Sequence, residues 1–309
     1  MPSFRPLPSS WGRPVGAEPL FERIALIGIG LIGSSLARRV KRDGLARSIV
    51  CCARSERTRR AAVELGLVER SFADPAEAVA GADLVVLCTP LGAYRALAEV
   101  FAPRLERGAI LSDVGSAKAI VLREIGPLLP AHVHLVPGHP VAGTEYSGPE
   151  SGFAELFDGR WCILTPPAGA DEAAVAKVAE LWKRCGMMIE RMEAKHHDIV
   201  LAVISHLPHL IAYCIVGTVT NLEELTSSEV IKFAAGGFRD FTRIAASDPV
   251  MWRDVFLTNR EAVLEMLGHF TEDLTALQRM VRFGQGDKLE EWFTRTRAVR
   301  RSLIEARQA

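Results

Sequence analysis

The stretch Ile24-Ala25-Leu26-Ile27-Gly28-Ile29-Gly30-Leu31-Ile32-Gly33 decides the fold of the first half of the chain. The apolar residues before Gly28 predict a buried β-strand, and the residues after Gly33 favour a helix. In such a unit Gly28 permits the tight turn, Gly30 lets a pyrophosphate approach the backbone, and Gly33 lets helix and strand pack closely. The phosphates would lie at the positive end of the helix. The stretch therefore predicts a dinucleotide site rather than a glycine-rich turn without a ligand.

Short β-branched runs alternate with longer helical runs from Arg23 to about Met188, which is typical of a parallel sheet covered by helices. The candidate strands are IALIGIG, SIVCCAR, DLVVLCTP, AILSDVGS, HLVPGHP and WCILTP. The candidate helices between them are Ser34–Asp43, Glu56–Leu65, Leu91–Phe101 and Ala117–Leu129. Strand signals stop after the segment DEAAVAKVAELWKRCG, and the pattern from Ala194 onward is helical.

This pattern predicts three segments. Residues 1–20 are rich in proline and have no apolar core, so we expect a flexible leader and not a signal peptide. Residues 21–190 are expected to form an α/β, Rossmann-type doubly wound parallel sheet that binds the dinucleotide. Residues 191–309 are expected to follow as an all-α helical domain.

Composition argues against several kinds of partner. Lys plus Arg and Asp plus Glu each number 37, so no net charge attracts the chain to nucleic acid or to an anionic membrane. The six cysteines include no CxxC pair, which indicates reduced thiols and a cytoplasmic location. The segment Ile199–Val219 is long and apolar enough to span a membrane, but His206, Pro208 and His209 lie within it. We therefore expect a helix buried in protein.

The usual sequence sign of NAD is absent. An acidic residue about twenty positions after the glycines normally binds the ribose 2′-hydroxyl of NAD. Here the second strand ends in Ala53-Arg54-Ser55, and an arginine at this place can accept the 2′-phosphate of NADP. We expect NAD(P)+ with a physical preference for NADP+; the alternative is that Arg54 stacks on the adenine. Thr89-Pro90, after the strand DLVVLC, is expected to border the nicotinamide ribose.

Two further motifs lie where strands of this domain should end, and both therefore open towards the same crevice. They are Ser112-Asp113-Val114-Gly115-Ser116-Ala117-Lys118 and Gly138-His139-Pro140-Val141-Ala142-Gly143-Thr144-Glu145. Together with SHLPH and GGFRDFTRIAASDPVMW, they resemble the prephenate and arogenate dehydrogenases of tyrosine biosynthesis, from about Ile24 to Arg260. The resemblance implies oxidative decarboxylation of a cyclohexadienyl acid, to 4-hydroxyphenylpyruvate or tyrosine, with hydride transfer to NAD(P)+.

The resemblance also implies roles for particular residues and a homodimer formed through the helical domain. His139 matches the base that takes the hydroxyl proton, and Ser116 matches the serine that hydrogen-bonds near it. The implied substrate-binding and pocket-lining residues are His209, Arg243, Thr144, Glu145 and Trp252. No metal is expected, because His206 and His209 lack a third ligand with suitable spacing.

Two other functions remain open from the residues alone. A two-domain dehydrogenase of the β-hydroxyacid type would place a catalytic lysine in its helical domain, where Lys195 and Lys232 are the central candidates. A non-enzymatic dinucleotide sensor would keep the three glycines of the turn but would need neither His139 nor Arg243. Finding both of those residues in register favours an enzyme.

Overall fold

The computed structural model of the chain describes residues 18–219 and 236–305, so most of the predicted leader and Lys232 lie outside the described residues. The strands are β1 (Phe21–Ile27), β2 (Ala46–Cys52), β3 (Arg70–Phe72), β4 (Leu84–Leu87), β5 (Ile110–Asp113), β6 (His134–Leu135), β7 (Gly138–Pro140), β8 (Trp161–Leu164) and β9 (Met188–Arg191). The helices are α1 (Leu31–Arg42), α2 (Glu56–Glu64), α3 (Pro75–Val79), α4 (Tyr94–Phe101), α5 (Ala119–Glu124), α6 (Glu172–Arg184), α7 (Ala194–Leu201), α8 (207–219), α9 (Gly236–Thr242), α10 (Pro249–Thr258), α11 (Arg260–Arg282) and α12 (Gly286–Glu305).

A six-stranded parallel sheet has the order β3-β2-β1-β4-β5-β6. Ile27 at the end of β1 is level with Cys52 of β2 and Leu87 of β4. Leu87 is in turn level with Asp113 at the end of β5, so the carboxyl ends of four strands meet at one edge. The strand order reverses between β1 and β4, where open α/β sheets bind their ligands. The predicted Rossmann-type fold is confirmed.

Both faces of this sheet are buried because side chains alternate along each strand. In β1, Leu26 belongs to a core that includes Leu36 of α1 and Trp182 of α6. The neighbouring Ala25 belongs to a separate core that includes Phe101 of α4. The continuous apolar run before the glycine turn is therefore what a strand covered on both faces requires.

The glycine turn is held against the end of β4. Gly28 has a φ of 101°, and a Cβ there would lie 2.7 Å from the backbone carbonyl of Cys88. A Cβ on Gly33 would lie 2.6 Å from the carbonyl oxygen of Gly28. Around Gly30, by contrast, an added Cβ would meet nothing within 4 Å. Packing thus requires two of the three glycines, and the third faces open space.

The predicted strand HLVPGHP is wrong as a single element. His134–Leu135 ends the main sheet as β6, whereas Gly138–Pro140 forms β7 in a second sheet of order β7-β8-β9. Pro137 separates the two strands and has no N–H to continue the first ladder. The predicted strand WCILTP also belongs to the second sheet, as β8 antiparallel to β7, so His139 lies in the second sheet and not in the main one.

The prediction that strand signals stop after WKRCG is also wrong. Met188–Arg191 follows as β9 and pairs in parallel with β8. Its side chains are exposed except for half-buried Ile189, so the strand has no run of buried apolar residues for a pattern to detect.

Residues 194–219 form one helix of 26 residues, in which the π-helix Ala202–His206 separates α7 from α8. Among the described residues it is the one helix that is long and apolar enough to cross a membrane, with 22% of its most apolar window buried. The buried side carries His197, Asp198 and His206, while Ile204 on the other side is 63% exposed. The expectation of a helix buried in protein therefore holds for one side only within a single chain.

The chain divides into two compact units at Arg260. The unit of residues 1–260 holds both sheets and the helices up to α10, among its described residues. The unit of residues 261–309 consists of α11 and α12, which meet at Gly284 with a φ of 61°. Its helices expose large apolar side chains, including Leu264, Val281 and Phe293.

We predict that Gly33→Ala lowers the melting temperature by several degrees, whereas the matched change Gly30→Ala leaves it unchanged. The gain in helix propensity at position 33 is below about 1 kcal/mol, and overpacking against a backbone carbonyl costs about 1–3 kcal/mol. Differential scanning calorimetry of the cofactor-free variants measures both effects. Equal melting temperatures for the two variants would contradict the packing argument.

Candidate active site

A buried ion pair joins the end of β5 to the strand that carries His139. Lys118 is fully buried, and its Nζ donates hydrogen bonds to Asp113 Oδ2 at 2.5 Å and to the carbonyl of Gly138 at 2.7 Å. The N–H of Gly138 donates to the other oxygen of Asp113 at 3.3 Å. Burial lowers the pKa of Lys118, while the charge of Asp113 acts in the opposite direction. The pair thus holds both polar backbone groups of the residue before His139.

His139 begins a chain of hydrogen bonds that ends on a carboxylate. Its Nδ1 lies 2.9 Å from His197 Nε2, and His197 Nδ1 lies 2.9 Å from Asp198 Oδ1. Asp198 also accepts hydrogen bonds from the backbone N–H groups of Lys118 and Ala119, at 2.7 and 2.9 Å. The chain therefore connects β7, α7 and the start of α5.

This arrangement determines which ring nitrogens carry protons. The carboxylate of Asp198 only accepts hydrogen bonds, so His197 carries its proton on Nδ1 and has a lone pair on Nε2. His139 must then carry its proton on Nδ1 to donate to that lone pair. The Nε2 of His139 is left as a free lone pair, which is the group that a general base needs.

His139 and His197, the two histidines joined by these hydrogen bonds, are both neutral near pH 7. Burial, followed by His197, Lys118 and His206, lowers the pKa of His139 well below its usual value. Burial also lowers the pKa of His197, although the hydrogen bond to Asp198 opposes it. His139 is only 7% exposed, so its ring lies almost wholly within the protein interior.

His197 is the main functional residue that reasoning from sequence missed. The position of His196 and His197 just after Lys195 in the sequence predicts no more than an exposed or capping role for either. His196 is exposed, whereas His197 is fully buried. The available signal was spacing, because His197 lies on the same helix face as buried Ala194 and Leu201.

A third buried histidine extends the polar network to Asn259, the residue directly after α10. Asn259 Nδ2 donates to the carbonyl of Asp198 at 2.8 Å and lies 3.1 Å from His206 Nδ1. Burial lowers the pKa of His206 to about 4, although Asp198 and the backbone of Ser116 oppose the shift. No cluster of three or more possible metal-ligating residues occurs in the described ranges 18–219 and 236–305.

Ser116 lies half-buried in the loop between Asp113 and Lys118. Its backbone faces His206, but no hydrogen bond joins its hydroxyl to His139 within the described part of the chain. The structure therefore places Ser116 beside the histidine network without the direct contact that the resemblance implied.

The predicted substrate-binding residues form two adjacent pairs. His209 stacks on Trp252 with ring centroids 3.7 Å apart and an angle of 24° between the planes. Arg243 forms an ion pair with Glu145, with Nη1 and Oε2 3.3 Å apart. The charge of Arg243 contributes to lowering the pKa of His209, so the two pairs are neighbours. Thr144 lies beside Glu145 on the exposed loop after β7, where its Oγ1 accepts the N–H of Tyr146.

The residues expected to hold the dinucleotide fit such a ligand. Gly30 is followed by the half-buried Leu31 and Ile32 of α1, a helix whose first turn has no side-chain cap and no acidic residue. An anion can therefore take the free N–H groups of this turn, with the open space above Gly30 for its approach. Thr89 has a buried Oγ1 without a hydrogen-bond partner within the described residues.

The remaining cofactor candidates lie beside this turn. Ser55 caps α2 through the N–H of Thr58, and Arg54 before it is exposed. Pro90 precedes a 3-10 turn at the end of β4, the strand next to β1. All of these positions lie at the carboxyl edge of the sheet.

The fold and this geometry define a class, a Rossmann-type dehydrogenase with a neutral buried histidine close to the carboxyl edge of its sheet. The family model described as "Prephenate dehydrogenase, nucleotide-binding domain" matches residues 36–191. The model described as "Prephenate dehydrogenase, dimerization domain" matches residues 193–295. The chain belongs to the prephenate dehydrogenase family.

Individual relatives are similar over most of their length. The chain is 42% identical to the cyclohexadienyl dehydrogenase of Zymomonas mobilis, covering 92% of this chain and 97% of that one. It is 32% identical to the prephenate dehydrogenase of Bacillus subtilis, covering 91% and 76%. The crystal structure of A. aeolicus prephenate dehydrogenase with hydroxyphenyl propionate and NAD+ has a TM-score of 0.84, at 31% identity, covering 91% and 98%.

We predict that His139 and His197 both appear as neutral Nδ1–H tautomers in long-range proton–nitrogen correlation spectra at pH 7. Free imidazole side chains are mixtures, so two fixed tautomers of this kind require the carboxylate at the end of the chain. Asp198→Asn should return both rings to mixtures, while His196→Gln on the exposed side of α7 should change neither. An Nε2–H signal from His139 in the unmodified protein would contradict the derivation.

Proposed function

We propose that the protein catalyses the oxidative decarboxylation of prephenate and arogenate in tyrosine biosynthesis, with hydride transfer to NAD(P)+. The observation that carries the proposal is the free Nε2 of His139, held neutral and oriented by His197 and Asp198. His139 lies near the carboxyl edge of the main sheet, where the glycine turn also lies. The chain itself belongs to the prephenate dehydrogenase family. The cyclohexadienyl dehydrogenase of Zymomonas mobilis supports the breadth of substrate.

The chemistry needs one base. When bound, the nicotinamide supplies the hydride acceptor. His139 Nε2 accepts the proton of the ring hydroxyl as hydride leaves the same carbon, which becomes a carbonyl. The opposite ring carbon then loses its carboxylate as carbon dioxide, the electron pair completes the aromatic ring, and the former carbonyl oxygen is protonated. The driving force is aromatisation.

The hydrogen-bonded relay formed by His139, His197 and Asp198 stabilises the positive charge that this step creates. Once Nε2 is protonated, the ring of His139 is a cation, and its Nδ1–H remains bonded to His197. The carboxylate of Asp198 lies one ring further away and stabilises the positive charge through His197. Burial opposes the cation and the relay favours it, so the base is neutral before the step and not trapped after it.

In this proposal the substrate is bound by two pairs of residues, the stacked pair His209–Trp252 and the ion pair Arg243–Glu145. Arg243 is the cation suited to a substrate carboxylate, and its side chain is 60% exposed despite its ion pair with Glu145. Trp252, which stacks on His209, provides an apolar wall for the ring. In this proposal Ser116 and Thr144 supply hydroxyl groups at the rim of the same pocket.

The cofactor proposal extends to NADP+. Arg54 is exposed beside the hydroxyl of Ser55, at the end of the strand where NAD-specific proteins place an acidic residue. A guanidinium and a hydroxyl at this place suit a 2′-phosphate. We expect NADP+ to be preferred and NAD+ to be accepted.

The two alternative functions receive less support. Lys195 is exposed at the start of α7, away from the buried network, and so does not occupy the place of a catalytic lysine. A dinucleotide sensor would have no use for a histidine whose tautomer is fixed by a buried carboxylate. The residues of the site therefore favour the proposed dehydrogenase over both alternative functions.

Assembly and location complete the proposal. We expect the nucleotide-binding segment 21–190 to be joined to a substrate and dimerisation segment 191–309, with the exposed apolar sides of the long helix and of α11 and α12 covered by a second copy rather than by lipid. The balanced charge gives no attraction to nucleic acid. The six free cysteines fit the cytoplasm.

The purified protein should reduce nicotinamide with each of the four combinations of prephenate or arogenate and NAD+ or NADP+, faster with NADP+. His139→Asn should keep cofactor affinity and lose most turnover, whereas Arg243→Gln should chiefly raise KM. Because burial lowers the pKa of His139, kcat should stay level from about pH 8 to about pH 6.5 and fall only in more acid solution. Absorbance at the reduced-nicotinamide band measures all of these. A folded protein that reduces none of the four mixtures would refute the function.

Light scattering at micromolar concentration should give the mass of two chains, about twice 33.7 kDa. The physical reason is the apolar surface that a single chain leaves exposed, such as Ile204 and Phe293. Replacing these residues with glutamate should lower the measured mass, while the same change at exposed Lys183 should not. A monomeric mass for the unmodified protein would remove the dimer.

A further inference from the structure

The loop that follows β4 is bound to α10 by a buried carboxylate. Asp254 of α10 is 7% exposed, and its Oδ2 accepts a hydrogen bond from the backbone N–H of Gly92 at 3.1 Å. Its other oxygen, Oδ1, accepts hydrogen bonds from Nε and Nη2 of Arg253 at 2.9 and 2.7 Å. The two oxygens of the carboxylate thus have separate partners, one in the loop and one in α10 itself.

The loop has no helix cap of its own. Gly92 lies in the 3-10 turn Leu91–Ala93, which leads directly into α4. The residues at the two N-cap positions, Pro90 and Ala93, have no side-chain oxygen that could accept the free N–H groups. The acceptor for this first turn is therefore Asp254, which lies 162 positions further along the chain.

The loop and α10 also fit each other closely. A Cβ on Gly92 would lie 2.5 Å from Asp254 Oδ2, so the hydrogen bond requires glycine at this position. Leu91 and Tyr94, on either side of Gly92, belong to the same apolar core as Trp252 of α10. The hydrogen bond is thus accompanied by apolar packing between the same two elements.

This contact joins the two ligand sites of the proposed reaction. Thr89 and Pro90, directly before the turn, are expected to border the nicotinamide ribose. Trp252, two positions before Asp254 on α10, is the proposed wall for the ring of the substrate. Hydride transfer needs reacting atoms about 3–3.5 Å apart, and a misplacement of about 1 Å can lower the rate about 100-fold. The spacing between the loop and α10 is therefore part of the geometry of the reaction.

The same loop is anchored to the strand of the base at its other end. Tyr94 Oη donates a hydrogen bond to Asp113 Oδ2 at 3.1 Å, and Asp113 belongs to the buried ion pair beside the strand of His139. The loop is therefore fixed to the base at Tyr94 and to the substrate wall at Gly92. The second of these anchors is the one that reaches α10.

We propose that Asp254 is a positioning residue for hydride transfer, because its bond to Gly92 sets the distance between the nicotinamide and the ring of the substrate. It acts through the loop and through Trp252, not by contact with either ligand. The two ligands then bind cooperatively, since a cofactor that orders the loop also orders the substrate wall through this bond. This inference rests on the proposed function and goes further, because it assigns a role to a residue outside the pocket.

The first test is kinetic and uses the full-length protein. Asp254→Ala removes the acceptor and should lower kcat by about tenfold or more, with KM for the cofactor changed by less than about twofold. Asp254→Asn keeps an oxygen that can accept the N–H of Gly92, so it should retain most of the turnover. Glu99→Gln, a matched loss of a carboxylate on the exposed side of α4, should change neither constant.

A binding experiment separates positioning from a merely structural role. Calorimetric titration should show that bound NADP+ tightens the binding of 4-hydroxyphenylpropionate to the unmodified protein by about tenfold. Asp254→Ala should bring this coupling ratio close to one, whereas Asp254→Asn and Glu99→Gln should keep it. A residue that only stabilised the fold would leave the ratio unchanged.

Gly92→Ala tests the same contact from the side of the loop. Its Cβ would meet Asp254 Oδ2, so the loop and α10 must separate, and both kcat and the coupling ratio should fall as they do in Asp254→Ala. The double variant Gly92→Ala/Asp254→Ala relieves this clash, so it should be no slower than Asp254→Ala alone. Losses that multiply in the double variant would contradict the contact.

The outcomes separate the two proposals. If no mixture of substrate and cofactor reacts, the proposed reaction fails, and the coupling ratios still decide the role of Asp254. If Asp254→Ala keeps either its turnover or its coupling ratio, or if the unmodified protein has a ratio of one, the positioning role is overturned. If Asp254→Ala does not fold, an unchanged ratio in Gly92→Ala overturns it equally.

Discussion

The ammonium of Lys118 and the carboxylate of Asp113 meet where water does not reach, and Gly138 is hydrogen-bonded to both. Removing one partner of such a pair costs about 3–5 kcal/mol, because the remaining charge stays buried and alone. Tyr94 and Gly115 donate two further hydrogen bonds to the carboxylate. The backbone of β7, the strand that carries His139, is thus fixed by charge.

From this fixed strand, the site is completed by side chains from the other half of the sequence. His139 comes from the segment matched by the nucleotide-binding family model, and His197 and Asp198 come from the segment matched by the dimerization model. Lys118 contributes two hydrogen bonds to the site. Its Nζ donates to the carbonyl of Gly138, and its backbone N–H donates to Asp198. A change that moves α7 therefore disturbs the Nδ1 hydrogen bond of His139 as well as the position of its ring.

The parts of the fold that could be predicted from the sequence are those with a local cause. The turn at Gly28 follows from the conformations that glycine permits, and the helices and strands around it follow from the alternation of β-branched and helical runs in the sequence. The break after β6 could not be foreseen from the apolar run, because it depends on Pro137 and on a partner strand, β8, more than twenty residues away. His197 was missed because its partner, His139 of β7, is distant in the sequence, whereas His209 and Arg243 were predicted only by resemblance to the family.

The π-helix Ala202–His206 sets the directions in which the two parts of the long helix 194–219 point their side chains. An extra residue in one turn rotates all that follows by about 100° relative to an unbroken α-helix. The first part of the helix can thus direct His197 at His139 while the last part directs His209 at Trp252. Losing one residue here would restore a regular helix but would turn His209 away from Trp252. A deletion among these five positions should therefore be tolerated far less than a substitution of exposed Ile204.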